Sequence, residues 1–303
     1  MSRVLPPPPV EFVRATVGRE GQPGREWLRQ LPATADQLAE RWSLAPDGAP
    51  RYGYVATVWP VRRDDGTPAV LKVTWPGPDQ APEGAVLRAW AGDGAVRLLE
   101  HAPDEWGLLL ERAHDVDLTG EPLAAAVTTI GRLLARLHTA PVPAELPRLA
   151  TTAARWTEEL PTGWSRLGWE RRLLDQALDT CHALSGDVPD QVLHVDLHFE
   201  NVLAADREPW LAIDPKGLAG DPAFESPAVL WNRVEEYAGP ADVRRRLQLW
   251  CDAAGVDRER ARRWAVVRTL EDAVDQAVEG SDDDRSQPPD LAGHRFLLDA
   301  LAD

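Results

Sequence analysis

The chain has 303 residues, 44% of them apolar, enough for one large domain or two modest lobes with their own cores. Its formal net charge of −16 argues against a nucleic-acid partner, because phosphate backbones are met by basic surfaces. No apolar run approaches membrane-spanning length, no charged-then-apolar leader opens the sequence, and Cys181 and Cys251 lack metal-ligand spacing. The expectation is a reduced, cytoplasmic, monomeric protein without a membrane partner. The acidity suits a cationic small molecule drawn to an acidic cleft, and equally suits plain solubility.

In chain order, Pro6 to Pro9 reads as an extended or disordered lead-in. Trp27, Leu28, Leu31, Ala35, Leu38, Ala39 and Trp42 fall at helical spacing and predict a helix over 26–42. Asp47 to Gly53 is a short polar loop ahead of a hairpin. The runs 55–61 and 69–73 predict its two strands, with Asp65-Gly66 as a two-residue turn signal. Lys72 lies in the second strand. Pro82 to Trp90 predicts a helix that carries Glu83 in its first turn. Runs 95–99 and 107–110 predict two further strands, the second ending at Glu111-Arg112.

Asp115 to Glu121 reads as a connector, and 122–138 as a long apolar helix with His138 at its end. Further helices are predicted over 154–184, interrupted near Pro161 to Gly163. From Pro227 onward the chain reads as helical, over 243–254, 258–279 and 291–301, with a solvated, mobile loop at 280–289. Glu271, Asp272, Asp275 and Glu279 recur at roughly helical spacing, either as a solvated acidic face or as a surface for a cationic ligand.

Between these helical blocks lie two apolar runs, each ending in a carboxylate. Val192, Leu193, Val195 and Leu197 bracket Asp196; Trp210, Leu211, Ala212 and Ile213 lead into Asp214. Asn201 and the polar turn 206–209 stand between them. A strand pair delivering two acids and an amide to one end suits divalent metal and phosphate chemistry, since Mg²⁺ takes hard oxygen ligands together with substrate phosphates. An acid beside such a metal can accept the proton of an attacking hydroxyl.

Residue usage points to the same places. Only two of the 33 basic residues are lysines, Lys72 and Lys216, and only two asparagines occur, Asn201 and Asn232. A chain that otherwise uses Arg keeps a Lys where a compact ammonium is needed and a planar guanidinium will not serve.

The pattern His194-x-Asp196-x-x-x-x-Asn201, followed by Asp214 closing a second run, resembles the catalytic and metal loops of the protein-kinase-like fold, with Asp-Pro-Lys in place of Asp-Phe-Gly. The longer string over 193–205, with 207–215 and Gly220-Asp221-Pro222, resembles the aminoglycoside phosphotransferase superfamily. Within it, the string is similar to the streptomycin 6-kinase and hydroxyurea phosphotransferase branch. The resemblance implies an α+β bilobal fold, with a small antiparallel-sheet N-lobe over 1–111 and a larger helical C-lobe over 112–303.

It also implies ATP and Mg²⁺. Lys72, oriented by Glu83, would contact phosphates. Glu111 would sit at the link where backbone groups meet the adenine edge. Asn201 and Asp214 would hold the metal, and Asp196 would orient the acceptor hydroxyl or take its proton. His194 is expected to support the loop; His198 and Glu200 carry no assigned role. For Lys216 two readings stand, a phosphate contact or a pair with Asp221. The expected acceptor is a cationic antibiotic of the streptomycin type. Hydroxyurea, another small alcohol or sugar, and a nucleotide-binding pseudokinase are the rivals.

Overall fold

The computed structural model describes residues 4–78, 80–186, 188–282 and 290–302, the last four of 188–282 by backbone only. The chain divides into two compact units, Met1–Asp115 with Ala204–Leu211, and Val116–Leu203 with Ala212–Asp303.

The first unit opens on α1 (Val10–Arg41), which breaks at Gly21, where φ is +59°, and resumes through Pro23. A non-helical glycine followed two residues later by a proline restarts a helix without losing an N–H the ladder needs. The helix begins sixteen residues before the predicted start at 26, because Phe12 and Thr16 bury a face that the sparse apolar pattern there did not announce. The lead-in is tied down: Leu5 N–H donates to Asp36 at 2.9 Å and the Trp59 indole donates to Pro6 O at 2.8 Å.

The sheet follows as β1 (Ala45–Pro46), β2 (Arg51–Tyr52), β3 (Ala56–Arg62) and β4 (Pro68–Thr74), then α2 (Glu83–Trp90), β5 (Leu98–Ala102) and β6 (Gly107–Glu111). It is antiparallel in order β1-β3-β4-β6-β5, with β2 also on β3. The inward faces of β3, β4 and β6 (Trp59, Val61, Leu71, Val73, Leu109) close on Leu31, Ala35 and Leu38 of α1. A Cβ at Gly107 would come within 2.5 Å of Leu38 Cδ1, so the helix lies directly on the strand there.

Two expectations are corrected. The β3–β4 turn is one residue longer than a two-residue hairpin: Arg63 pairs with Thr67, and Gly66 takes the left-handed bulge position at φ +82°. β5 begins three residues later than its apolar run. Gly92 and Gly94, both at positive φ, spend 92–97 on a turn, and the polar Glu100-His101 are in the strand.

In the second unit the elements are α3 (Leu123–Leu137), α4 (Leu149–Gly163), α5 (Arg171–Leu184), β7 (Gln191–Leu193), β8 (Val202–Ala204), β9 (Trp210–Ala212), β10 (Leu218–Gly220), α6 (Pro227–Trp231), α7 (Pro240–Ala254), α8 (Arg258–Asp282) and α9 (Ala292–Leu301). The connection between β8 and β9, residues 204–211, groups with the first unit. α3 buries Val127, Ile130, Leu133, Leu134 and Leu137 against α7. Each such side chain contributes roughly 1.5–3 kcal/mol. Gly131 lets the two helices touch, since a Cβ there would meet Ala253 Cβ at 2.6 Å and Trp250 O at 3.0 Å.

α4 runs through Pro161 to Gly163, so the break lies after the predicted interruption, over 164–170. Residues 280–282 belong to α8 rather than to a loop; 283–289 lie outside the described residues. The two acid-ending runs do not pair with each other: β7 pairs with β10 and β8 with β9. The chain turns back at 206–209 to close β8–β9 first, which leaves β7 to find its partner beyond Asp214. No helix among the described residues is long and apolar enough to cross a membrane.

Candidate active site

His194 joins the two acid-bearing loops. It is fully buried, and burial pushes its imidazole down, so the ring is neutral. Its Nδ1 accepts from Asp196 N–H at 3.3 Å, which places the remaining proton on Nε2, 2.8 Å from Ile213 O. Lys216 N–H donates to His194 O at 3.0 Å, and Ile213 N–H donates to Asn201 O at 2.9 Å. Asn201 is itself buried and gives its Nδ2 to Asp196 O at 2.8 Å. Asp196, Asn201 and Asp214 are thus brought together on one hydrogen-bonded pair of loops. Phe199 N–H is capped by Asn232 Oδ1 at 2.6 Å, so both asparagines of the chain serve this turn.

Val195 has φ +76°, a region a β-branched residue avoids at a cost on the order of 1–3 kcal/mol. Its peptide neighbours are held from both sides. Glu225, 1% exposed, accepts His194 N–H at 2.6 Å and Val195 N–H at 2.8 Å. Arg268 Nη1 donates to Val195 O at 2.9 Å, with its guanidinium against the rings of Phe224 and Trp231. Burial alone would raise the Glu225 carboxyl. The His138 hydrogen bond and the N–H of His194 outweigh it, and the group stays ionised below the usual carboxylate range.

Neither Glu225 nor Arg268 was singled out from the sequence. The only signal for Glu225 was its place at the end of the Gly220-Asp221-Pro222 string, and Arg268 looked like any of the many arginines. His138 does more than end α3: its Nε2 lies 3.4 Å from Glu225 Oε1.

In the first unit Lys72 Nζ sits 2.7 Å from each oxygen of Glu83, and both side chains are buried. β4 supplies the lysine from a strand clamped on both edges, and the first turn of α2 supplies the acid. The Glu111 carboxylate accepts Arg207 Nε at 3.0 Å and Nη2 at 2.9 Å and Arg97 N–H at 3.0 Å, while its own N–H donates to Arg97 O. Both groups of Glu111 are therefore committed within this unit.

The structure corrects the pairing read for Lys216. Asp221 accepts Arg260 Nη2 at 2.6 Å, Trp264 Nε1 at 2.9 Å and Ala223 N–H at 3.0 Å, because it caps the turn before α6. Lys216 Nζ instead lies 3.1 Å from Asp214 Oδ2. Asp214, at φ +57°, and Asn201 offer hard oxygen donors of the kind a small divalent cation takes when water and phosphate complete its shell. The fit is chemical: Asn201 spends its amide nitrogen on Asp196 O, which leaves the acceptor end for a cation. His198 lies 4.0 Å from Asp196 and 3.6 Å from Glu200.

On α8, Asp272 is engaged by His294 and Gln276. Burial, then the charge of Asp275, pushes the Glu271 carboxyl up to about 7. The Glu279 side chain lies outside the described residues. Burial lowers Arg268, opposed by the carboxylates of Glu271, Glu225, Asp196 and Asp272, so one guanidinium lies in the field of both the acidic face and the Asp196 loop.

The family described as aminoglycoside/hydroxyurea antibiotic resistance kinase matches residues 41–280. A streptomycin 6-kinase of Streptomyces glaucescens is 41% identical over 269 residues, 86% of this chain and 88% of that one. A hydroxyurea phosphotransferase of Kitasatospora aureofaciens is 41% identical over 278 residues, 90% of this chain and 81% of that one. Among solved structures, a spectinomycin phosphotransferase in complex with ADP and spectinomycin shares a TM-score of 0.62 at 12% identity, over 88% of this chain and 96% of that one. At that identity the likeness is one of fold, and it is the kinase-like α+β fold that the motifs implied.

Proposed function

The chain belongs to the aminoglycoside/hydroxyurea antibiotic resistance kinase family and is a phosphotransferase; from that premise we propose that it transfers the γ-phosphoryl group of ATP to a hydroxyl of a cationic aminocyclitol antibiotic of the streptomycin type. The bond from γ-phosphorus to the β–γ bridging oxygen breaks with its electron pair left on ADP. A bond from the acceptor oxygen to phosphorus forms, and the hydroxyl proton passes to Asp196. Lys72, fixed by Glu83, contacts phosphate oxygens. The strand end at Glu111-Arg112 supplies backbone for the adenine edge other than the Glu111 N–H, which is engaged with Arg97, as the Glu111 carboxylate is with Arg97 and Arg207. Asn201 and Asp214 would hold Mg²⁺, which would neutralise charge on the transferring group. The enzyme acts in the cytoplasm as a monomer.

The observation that favours a cationic acceptor is the group of carboxylates on α8, Glu271, Asp272 and Asp275, two of which act with Asp196 on the one guanidinium of Arg268. Glu271, Asp272 and Asp275 give a polycationic drug counter-charges near the reacting hydroxyl and give a small neutral molecule nothing. A transferred phosphate adds roughly −1.5 to −2 charges. That offsets the positive charge with which such a drug holds a phosphate-rich target, and resistance follows.

Hydroxyurea is the second reading, carried by the relative of that name at the same 41% identity. Incubating the purified protein with ATP and Mg²⁺ and each acceptor, then weighing the products, separates the two. Streptomycin should gain one phosphoryl group. Modification of hydroxyurea with streptomycin untouched overturns the substrate but not the kinase. ATP binding with no acceptor modified moves the chain to the pseudokinase reading.

A further inference from the structure

Lys216 is one of two lysines in a chain that otherwise uses arginine, and the proposed reaction gives it no part. Its backbone is fixed by neighbours on three sides: Pro215 before it, Gly217 at φ +74° after it, and its own N–H on His194 O at 3.0 Å. The Cα is therefore tied to His194, in the loop that carries Asp196, and the four-carbon stem reaches out from there. The ammonium rests 3.1 Å from Asp214 Oδ2, and the two side chains are 25% and 35% exposed. That carboxylate is the oxygen donor on which the metal reading depends. A pair this wet is weak and exchangeable.

We propose that Lys216 is a placeholder cation: it holds the Asp214 carboxylate until the metal–nucleotide arrives, yields it, and then lends its charge to the phosphoryl group in transfer. The inference rests on the phosphotransferase reading above. Three chemical facts support it. A divalent ion and an ammonium compete for one carboxylate oxygen, and the divalent ion wins on charge. The displaced ammonium is still anchored beside the catalytic loop by the backbone bond to His194. Charge in phosphoryl transfer spreads over three equatorial oxygens, which a compact, freely rotating ammonium can follow. An arginine would form a bidentate clamp on Asp214 and resist release, which is a reason for this position to keep lysine where the rest of the chain does not.

The test pairs metal binding with turnover in the full chain. Mn²⁺ is titrated against protein saturated with ADP, free Mn²⁺ being read by electron paramagnetic resonance, for wild type, Lys216→Met and Lys216→Arg. Phosphotransfer is assayed on the same preparations, and thermal melts establish that each is folded. Removing the competitor should tighten Mn²⁺ by about 2–5-fold, the worth of an exposed pair. The same change should slow turnover by on the order of 10²-fold, the cost of one preorganised charge donor. Lys216→Arg should bind Mn²⁺ more weakly than Lys216→Met and stay slow.

Lys216→Cys treated with 2-bromoethylamine returns an ammonium at this site and should recover both properties. The native Cys181 and Cys251 are buried, with thiols pushed up to about 12 by that burial, and escape the reagent. Unchanged or weaker Mn²⁺ binding in Lys216→Met overturns the proposal. So does tighter binding with turnover intact. A wild-type protein that neither binds Mn²⁺ with ADP nor consumes ATP sinks the phosphotransferase reading instead.

Discussion

Each unit holds one lysine paired with one carboxylate, and the two pairs differ in how much water reaches them. Lys72 and Glu83 are 7% and 4% exposed, with the ammonium 2.7 Å from both oxygens. Lys216 and Asp214 are 25% and 35% exposed, and the contact is to one oxygen at 3.1 Å. The same two functional groups therefore do opposite things. A dry, two-oxygen pair is costly to break and fixes a strand lysine against a helix. A wet, one-oxygen pair is worth about 0–1 kcal/mol and is free to exchange partners. On the reading proposed above, the first would hold phosphates that stay put, and the second would release its carboxylate to the metal.

The largest expected effect comes from the residue proposed to take the acceptor proton. Asp196→Ala should lower turnover by roughly 10²–10⁴, the range for a positioned proton acceptor, with nucleotide affinity kept. Steady-state kinetics beside ADP binding checks this, and unchanged turnover would take Asp196 out of the mechanism.

Next in size is the pair contrast itself. Glu83→Ala takes a two-oxygen counter-charge from a buried ammonium and should destabilise the first unit by about 3–5 kcal/mol; Lys216→Met should cost under about 1 kcal/mol. Denaturant unfolding of the two variants side by side should rank them so, and equal losses would erase the distinction. Glu225→Gln comes third. A glutamine presents one acceptor oxygen where His194 N–H and Val195 N–H need two, so the Val195 conformation relaxes and Asp196 drifts. A fall of about 10–100-fold in turnover is expected, as when a supporting partner of a metal ligand is lost, with melting temperature moved less than in Glu83→Ala.

The smallest effect is in pH. Burial raises the Glu271 carboxyl to about 7 in the folded state, above its unfolded value. The sign follows: its protonated form suits the fold, and the stability it gives at acid pH is lost as pH rises through about 7. A bound cation favours the ionised form, so affinity for a cationic acceptor should rise a few-fold from about pH 6 to 8. Isothermal titration in that window, with Glu271→Gln flattening the profile, checks it. A neutral acceptor should show no such slope.

Much of this was legible in the residues. Of the four rare residues, Lys72 and Asn201 pointed to the strand of the buried pair and to the Asp196 loop; Asn232 stood without a place and Lys216 with two readings. The helices α3, α7 and α9 could be placed from apolar spacing alone. What hid were the supports that work through buried backbone. Glu225 looks like any acid and matters because two N–H groups point at it. Arg268 was one arginine among many. The β5 shift depended on the glycines at 92 and 94, and the pairing of β7 with β10 on the turn at 206–209, neither of which local hydrophobicity reports. The strain at Val195 has no sequence signature at all, since valine is what a strand would use there.

Two lysines also make the central comparison directly observable. Protein grown with ¹³Cε-labelled lysine gives two side-chain resonances, and the Lys216→Met variant assigns them by the one it lacks. ADP is added first, then Mg²⁺. The account predicts that the Lys72 resonance answers the nucleotide and keeps the signature of its pair with Glu83, and that the Lys216 resonance moves only when Mg²⁺ takes Asp214. A Lys216 resonance that stays in place through metal saturation would contradict it.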